Sequence, residues 1–340
     1  MSQPSHRPGR LGVGVISAGR VGAVLGAALR GAGHAVVGVH ASSEASLERA
    51  AALLPDVPVL DVQSIVERSE LVLLAVPDDQ LPGLVSGLAA TGAWQPGQLV
   101  VHTAGRYGTD VLEPVRAAGG IGLAVHPAMT FTGLSLDLQR LADCSFAVTA
   151  AAPVLPIAQA LVVEMGAEPV VVAEADRPLY HAALAHGSNH VMTVLGESMQ
   201  LLGEIGVEHP DRVLGPLVRA TVDNALASGE NALTGPVARG DVTTVAAHVA
   251  ALRELAGGGA RAGHDAAGPV GSDDHDAAGP AGNVPHHCAG PTGNADHDAA
   301  RQLLAGYRAL ARQTARRAAA SGRLDETSYR AVMAAIEEEQ

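Results

Sequence analysis

Lysine is missing from this 340-residue chain; all 22 basic side chains are arginine. That excludes Schiff-base catalysis and a lysine general acid. Cysteine is nearly missing too. Cys144 and Cys288 form no C-x-x-C pair, and a reduced, cytoplasmic protein is the expectation. No apolar run approaches the ~20 residues that span a bilayer. Met1 to Arg10 carries arginines with no apolar segment behind them, so a short disordered tail is expected rather than a signal peptide. Positive charge is in deficit as well: the net charge is −13, which argues against a nucleic acid or an anionic membrane as partner.

What is present begins with a βαβ pattern. Leu11 to Ile16 is an apolar, β-branched run. Ser17-Ala18-Gly19-Arg20-Val21-Gly22 follows, then a helical stretch ending near Gly31, then a second strand, Ala35 to Val39. A glycine-rich turn between strand and helix is where a dinucleotide pyrophosphate meets free backbone N–H groups. Gly19 permits close backbone approach and Gly22 permits close helix packing. Ser17 stands where the usual fingerprint has its first glycine. The second strand ends at His40-Ala41-Ser42-Ser43, without the acidic residue that would hold an NAD ribose. Ser42, Ser43 and Arg49 favour NADP over NAD.

Further strands are expected at Glu70–Val76, Gln98–Val101, Ile121–Val125, Phe146–Thr149 and Pro169–Ala173. Helices are expected at Glu44–Leu54 and about Pro156–Met165. The alternation implies a mostly parallel, doubly wound sheet over residues 11–173. Residues 174–340 read as an all-α domain, opened by a long apolar helix, Arg177 to Ile205, expected to be central and buried. Helices at Arg212–Ser228, Asp241–Leu255, Arg301–Ser321 and Glu326–Glu338 complete it. Residues 257–298 interrupt that domain with repeats of His-Asp-Ala-Ala-Gly-Pro, too polar to pack. The insert's five histidines lack fixed ligand spacing, so no metal site is expected.

Several strand exits carry polar residues where α/β sheets bind ligands: Val76-Pro77-Asp78, His102-Thr103-Ala104-Gly105 and His126-Pro127-Ala128-Met129-Thr130-Phe131. Val76 and Pro77 should border the cofactor. Thr103 is a candidate for cofactor or carbonyl contact, with Gly105 passing close to the nicotinamide. His126 is the leading general-acid candidate; the alternative is a structural histidine fixing its loop with Pro127. With an ordinary pKa near 6.5, a proton-donating His126 would make the rate fall as pH rises. On the long helix, His181, Ser188 and Asn189 share a face by three- and four-residue spacing. Asn189 would orient substrate, and His181 or His186 could stand in for a lysine. Arg239 is a candidate carboxylate ligand, and Asp241 a helix N-cap.

Together with Ser188-Asn189 and the run Ala232-Leu233-Thr234-Gly235-Pro236-Val237-Ala238-Arg239-Gly240-Asp241, these motifs resemble the bacterial family of Rossmann-like proteins carrying the domain of unknown function 2520. That family is similar to pyrroline-5-carboxylate reductases, deazaflavin-dependent NADP reductases and β-hydroxyacid-dehydrogenase-like enzymes. The resemblance implies a Rossmann domain, a helical C-terminal domain that often dimerises, and NADP-linked reduction of a small substrate. It also brings a departure: β-hydroxyacid enzymes place a lysine four residues before an asparagine, and here Ala185 precedes Asn189. Two functions follow as expectations. One is an NADP-dependent oxidoreductase acting on a small carboxylated carbonyl or imine; the other is a non-catalytic NADP-binding sensor or scaffold.

Overall fold

The computed structural model describes residues 11–257 and 293–338, the side chains of 293–297 excepted. The N-terminal tail and most of the repeat insert lie outside them. By contacts the chain divides into two compact units, residues 1–192 and 193–340.

The first unit is built on a seven-stranded sheet in the order β2-β1-β3-β4-β5-β6-β7. Its strands are β1 (Gly12–Ile16), β2 (Ala35–His40), β3 (Leu71–Leu74), β4 (Leu99–His102), β5 (Ile121–Pro127), β6 (Ser145–Thr149) and β7 (Glu168–Val171). Helices α1 (Arg20–Gly31), α2 (Glu44–Leu53), α3 (Val62–Arg68), α4 (Leu81–Ala90), α5 (Glu113–Ala117), α6 (Leu136–Arg140) and α7 (Leu155–Glu164) connect them. The period-two pleat divides the buried side chains between two layers. Val13, Val15, Leu71, Leu73, Val101 and Val125 pack on the α1 and α7 side. Ile16, Val72, Leu74 and Val100 pack with Ile65, Leu81 and Trp94 on the other. Strands buried on both faces need the near-continuous apolar runs seen in the sequence.

Strands β1 to β5 are parallel along the sheet, and Ile16, Leu74, His102 and Ala124 form one row across it. Their carboxyl ends therefore share an edge. The order reverses at β1, with β2 on one side and β3 on the other, which makes this edge the topological switch point. One pairing breaks the parallel pattern: β6 runs antiparallel to β5, and β7, parallel to β6, shares its reversed sense.

Helix α8 (Arg177–Glu204) starts in the first unit, and the division falls inside it. The second unit contains α9 (Pro210–Ser228), α10 (Pro236–Arg239), α11 (Val242–Ala256), α12 (Gly293–Ala320) and α13 (Glu326–Glu337). Val245, Ala315, Val332 and Ile336 form its core. Asp241 caps α11 as the sequence suggests, accepting from the Thr244 N–H at 3.1 Å and the Thr244 hydroxyl at 2.7 Å.

One expectation is corrected. Helix α8 is not buried; of its residues only Arg177 is. Leu179 is 75% and Met192 68% exposed, and on α9 Leu217 and Leu226 are 63% and 83% exposed. The apolar composition was read as burial within the chain, but the described residues do not cover these side chains. Among the described residues, no helix is long and apolar enough to cross a membrane.

Candidate active site

The glycine turn sits at the switch point. Ser17 has a φ of 81°, a left-handed conformation that costs a non-glycine residue roughly 1 kcal/mol. This is why glycine is usual at that place. A Cβ on Gly22 would collide with the Ser17 carbonyl and with Ala75, whereas at Gly19 the nearest atom is Ser17 Oγ at 3.4 Å. Helix α1 begins from Gly19 with no side-chain cap and no acidic residue in its first turn. Its first N–H groups, the positive end of the helix dipole, thus face the turn without a carboxylate in competition. Arg20 is exposed there, and Arg49 donates to the Ala18 carbonyl at 3.2 Å. The exposed Ser42 and Ser43 lie at the end of β2, where Ser43 is engaged in capping α2 through Ser46.

The connection after β5 bridges two places along this edge. It begins at Ala128, two residues past His126 on β5, and runs back to the glycine turn, where a Cβ on Gly133 would lie 2.9 Å from Arg49 Cδ and 3.2 Å from Arg20 Cγ. Asp137, fully buried, pins it by accepting from the Thr132 and Gly133 N–H groups at 2.8 Å each and from the Thr132 hydroxyl at 3.0 Å.

At its start lies a cavity of about 250 Å³ lined by His126, Pro127, Ala128, Met129, Thr130, His181, Leu184, Ala185, Ser188 and Asn189. The sequence candidates His126, His181, Ser188 and Asn189 are therefore brought together. Thr103 is not among them. It lines a separate small apolar cavity with Val101 and Val125, on the α1 and α7 side of the sheet. Arg239 belongs to the second unit, with its guanidinium 3.5 Å from the Thr234 hydroxyl. Gly105 makes room beside two of these side chains. The space its Cβ would fill is taken by His181, at 2.5 Å, and by His126 Nε2, at 3.0 Å. The missing side chain lets the two imidazoles approach, their centroids 5.9 Å apart.

Electrostatics corrects the pKa expected for His126. Burial first, then the neighbouring His181, Arg177 and His102, pull it from 6.5 down to about 4. His126 is thus neutral at pH 7. Its Nδ1 lies 2.9 Å from the Tyr180 hydroxyl. His102 is fully buried and likewise held at about 4, chiefly by burial. Its Nδ1 accepts from the Ala104 N–H at 3.2 Å, so its Nε2–H donates to the Gly108 carbonyl at 2.7 Å. That makes His102 a loop anchor.

The sequence reading missed Tyr180 and Arg177. Arg177 is fully buried. It donates to Thr149 Oγ1 at 2.7 Å, to the Ala124 carbonyl at 2.9 Å and to the Ala147 carbonyl at 3.1 Å, tying the first turn of α8 to the β5–β6 pair. The available signal was a Tyr-His pair in a chain with only four tyrosines.

Comparison with known proteins agrees with this architecture. Residues 1–127 match the Rossmann-like domain, and residues 144–261 match the domain of unknown function 2520. No curated protein gives a significant match. Among solved structures, a Bacteroides fragilis protein carrying the provisional name NADP oxidoreductase superposes with a TM-score of 0.61 at 21% identity, over 72% of this chain and 92% of that one. A Thermotoga maritima protein gives 0.53 at 19% identity, over 72% and 91%. The Myxococcus stipitatus imine reductase in complex with NADP+ gives 0.51 at 19% identity, over 72% and 86%. At such identities the likeness is one of fold. The chain joins a Rossmann-like domain to the domain of unknown function 2520, in a fold distantly similar to NAD(P)-dependent reductases.

Proposed function

We propose that this protein is an NADP-dependent oxidoreductase that reduces a small, carboxylated carbonyl or imine compound. The observation that carries the reading is the shared edge: an uncapped glycine turn at the sheet's switch point, and a His126-headed cavity along the same edge of strand ends. The turn fits a dinucleotide by its own chemistry, since Gly19 leaves backbone room and the first turn of α1 holds no acid. Ser17, Gly19, Arg20, Val21 and Gly22 would hold the pyrophosphate, with Val76 and Pro77 bordering it. Arg49, with Ser42 and Ser43, would take the 2′-phosphate. The bound dinucleotide supplies hydride, and the chain's task is to place the substrate and move one proton. A cavity of about 250 Å³ suits a small molecule. Asn189 orients the carbonyl or imine, and His126 presents the proton.

The test is calorimetric titration with NADPH and NADH, then turnover of small oxo acids and cyclic imines. NADPH should bind more tightly, and Arg49→Ala should erase about tenfold of that preference, the worth of one charge-assisted hydrogen bond. Gly19→Asp should abolish binding of both. Equal affinities in the parent protein would remove the 2′-phosphate assignment. NADPH binding without turnover of any oxo acid or imine would favour a sensor or scaffold.

The proposal includes a homodimer. Exposed apolar side chains stand on α8 and on α9, Leu179, Met192, Leu217 and Leu226 among them, and a second copy of this chain would give them cover. Light scattering after size exclusion should return twice the 34.3 kDa chain mass. Leu217→Glu combined with Leu226→Glu should return the single mass; a monomeric parent protein would refute this part.

A further inference from the structure

A neutral histidine is a poor proton donor on its own. Losing the Nε2 proton would leave an imidazolate, unless Nδ1 gains a proton in the same event. The structure has a group at Nδ1 able to give one. The Tyr180 hydroxyl lies 2.9 Å from it, with the two rings edge to face at 5.6 Å. Nδ1 is therefore occupied from within the protein; Nε2, on the Gly105 side of the ring, is the nitrogen left to serve a ligand in the cavity that His126 lines.

Beside Tyr180 stands the buried Arg177, its guanidinium carbon 6.0 Å from the tyrosine ring centroid. Among the described residues no carboxylate forms an ion pair with it, and its Nη1 is buried without a hydrogen-bond partner. Glu174 acts on it electrostatically without pairing with it, and a buried cation without a paired carboxylate is expensive. It is also well placed to stabilise a nearby oxygen that becomes negative. Burial pushes the Tyr180 hydroxyl upward, and Arg177 acts in the opposite direction.

We propose that Tyr180 is the positioning residue of the site: it fixes His126 as the Nε2–H tautomer and passes its own proton to Nδ1 as the Nε2 proton leaves, with Arg177 stabilising the tyrosinate. This rests on the reductase reading above. Hydride from the dinucleotide adds to the carbonyl or imine carbon, and the substrate oxygen or nitrogen takes the His126 Nε2 proton. The Tyr180 O–H bond breaks and an N–H bond forms at Nδ1; after product leaves, water protonates Nε2 while Nδ1 returns its proton to the tyrosinate, which restores the phenol and the Nε2–H tautomer. His126 begins and ends neutral.

Nitrogen-15 NMR of the histidine side chains in the intact protein reads the tautomer directly, with the His126 signals identified by their loss in His126→Asn. The expected result is a protonated Nε2 and an unprotonated, hydrogen-bonded Nδ1. Tyr180→Phe should release the ring into a mixture of tautomers. It should lower turnover by roughly a hundredfold while NADPH affinity is unchanged. The parent rate should be level around neutral pH. In Tyr180→Phe the remaining rate should rise as pH falls, since the donor must then be the imidazolium, still depressed by burial and by His181, Arg177 and His102. A merely structural tyrosine would not change the direction of the pH profile. A protonated Nδ1 in the parent protein overturns the proposal with no variant needed, as does a Tyr180→Phe enzyme with parental rate and a level profile. The Nε2–H tautomer in a protein that turns over nothing supports the positioning role and counts against the reductase reading instead.

Discussion

His126→Ala is expected to cut turnover on a verified substrate by roughly a hundredfold or more, the scale of a lost proton donor, with NADPH affinity little changed. Its position supports this: two residues beyond the His102–Ala124 row, at the head of the cavity, with one ring nitrogen committed to Tyr180. Steady-state kinetics checks it, with cofactor titration as the control. The parent pH profile is part of the expectation. An imidazolium donor of ordinary pKa would lose activity as pH rises through about 6.5. With His126 held at about 4, the neutral ring is the working form, and the rate should be level across neutral pH. Parental turnover in His126→Ala would make the histidine a loop support, the alternative its Pro127 neighbour suggests.

Acid should unfold the first unit well above the carboxylate range. His102 and His126 each have a folded-state pKa of about 4 against 6.5 when free. Above 6.5 both states are neutral there, and neither group contributes to pH dependence. Between 6.5 and 4 the unfolded chain takes up protons that the folded chain refuses, so stability falls as pH falls. Below about 4 the loss levels off. For the fully buried His102 the total is on the order of 3 kcal/mol, a large fraction of a domain's stability. Thermal unfolding measured from pH 7.5 to 4 checks this. His102→Gln cannot titrate, so its melting temperature should start lower at neutral pH and converge with the parent's as pH falls. Parallel curves for the two would mean that His102 has no such part.

How legible was this in the sequence? The βαβ opening could be read because strand, turn and helix are local signals. Ser17 obscured the fingerprint, yet its positive φ shows the backbone kept what the fingerprint requires. His126, His181, Ser188 and Asn189 were legible as strand-exit and helix-face residues, and the structure brings them to one cavity. Thr103 lies apart from that cavity, because a strand-exit position does not say which face its side chain takes. It follows Val101 by two and shares that layer. The pKa of His126 was out of reach because it depends on burial and on Arg177, 51 positions along the chain. The antiparallel setting of β6 and the exposure of α8 were hidden for a related reason. Apolar composition shows that a segment wants cover, not which surface provides it.

That reversed strand has a consequence for how the site can vary. A parallel neighbour to β5 would have required its connection to cross a face of the sheet, usually as a packed helix. Because β6 returns beside β5 in the opposite sense, residues 128–144 leave and re-enter the sheet at the same edge. No part of them has to carry the chain to the opposite edge. Apart from Phe131, Leu141 and Cys144, which belong to the core, the stretch is therefore free to face the ligand, from the His126 cavity at one end to Arg20 and Arg49 at Gly133. Substitutions there can reshape the reception of a substrate without disturbing strand order, provided Asp137 keeps the loop anchored. Diversification in proteins of this architecture has a natural place to occur, and it lies between the two strands that break the parallel rule.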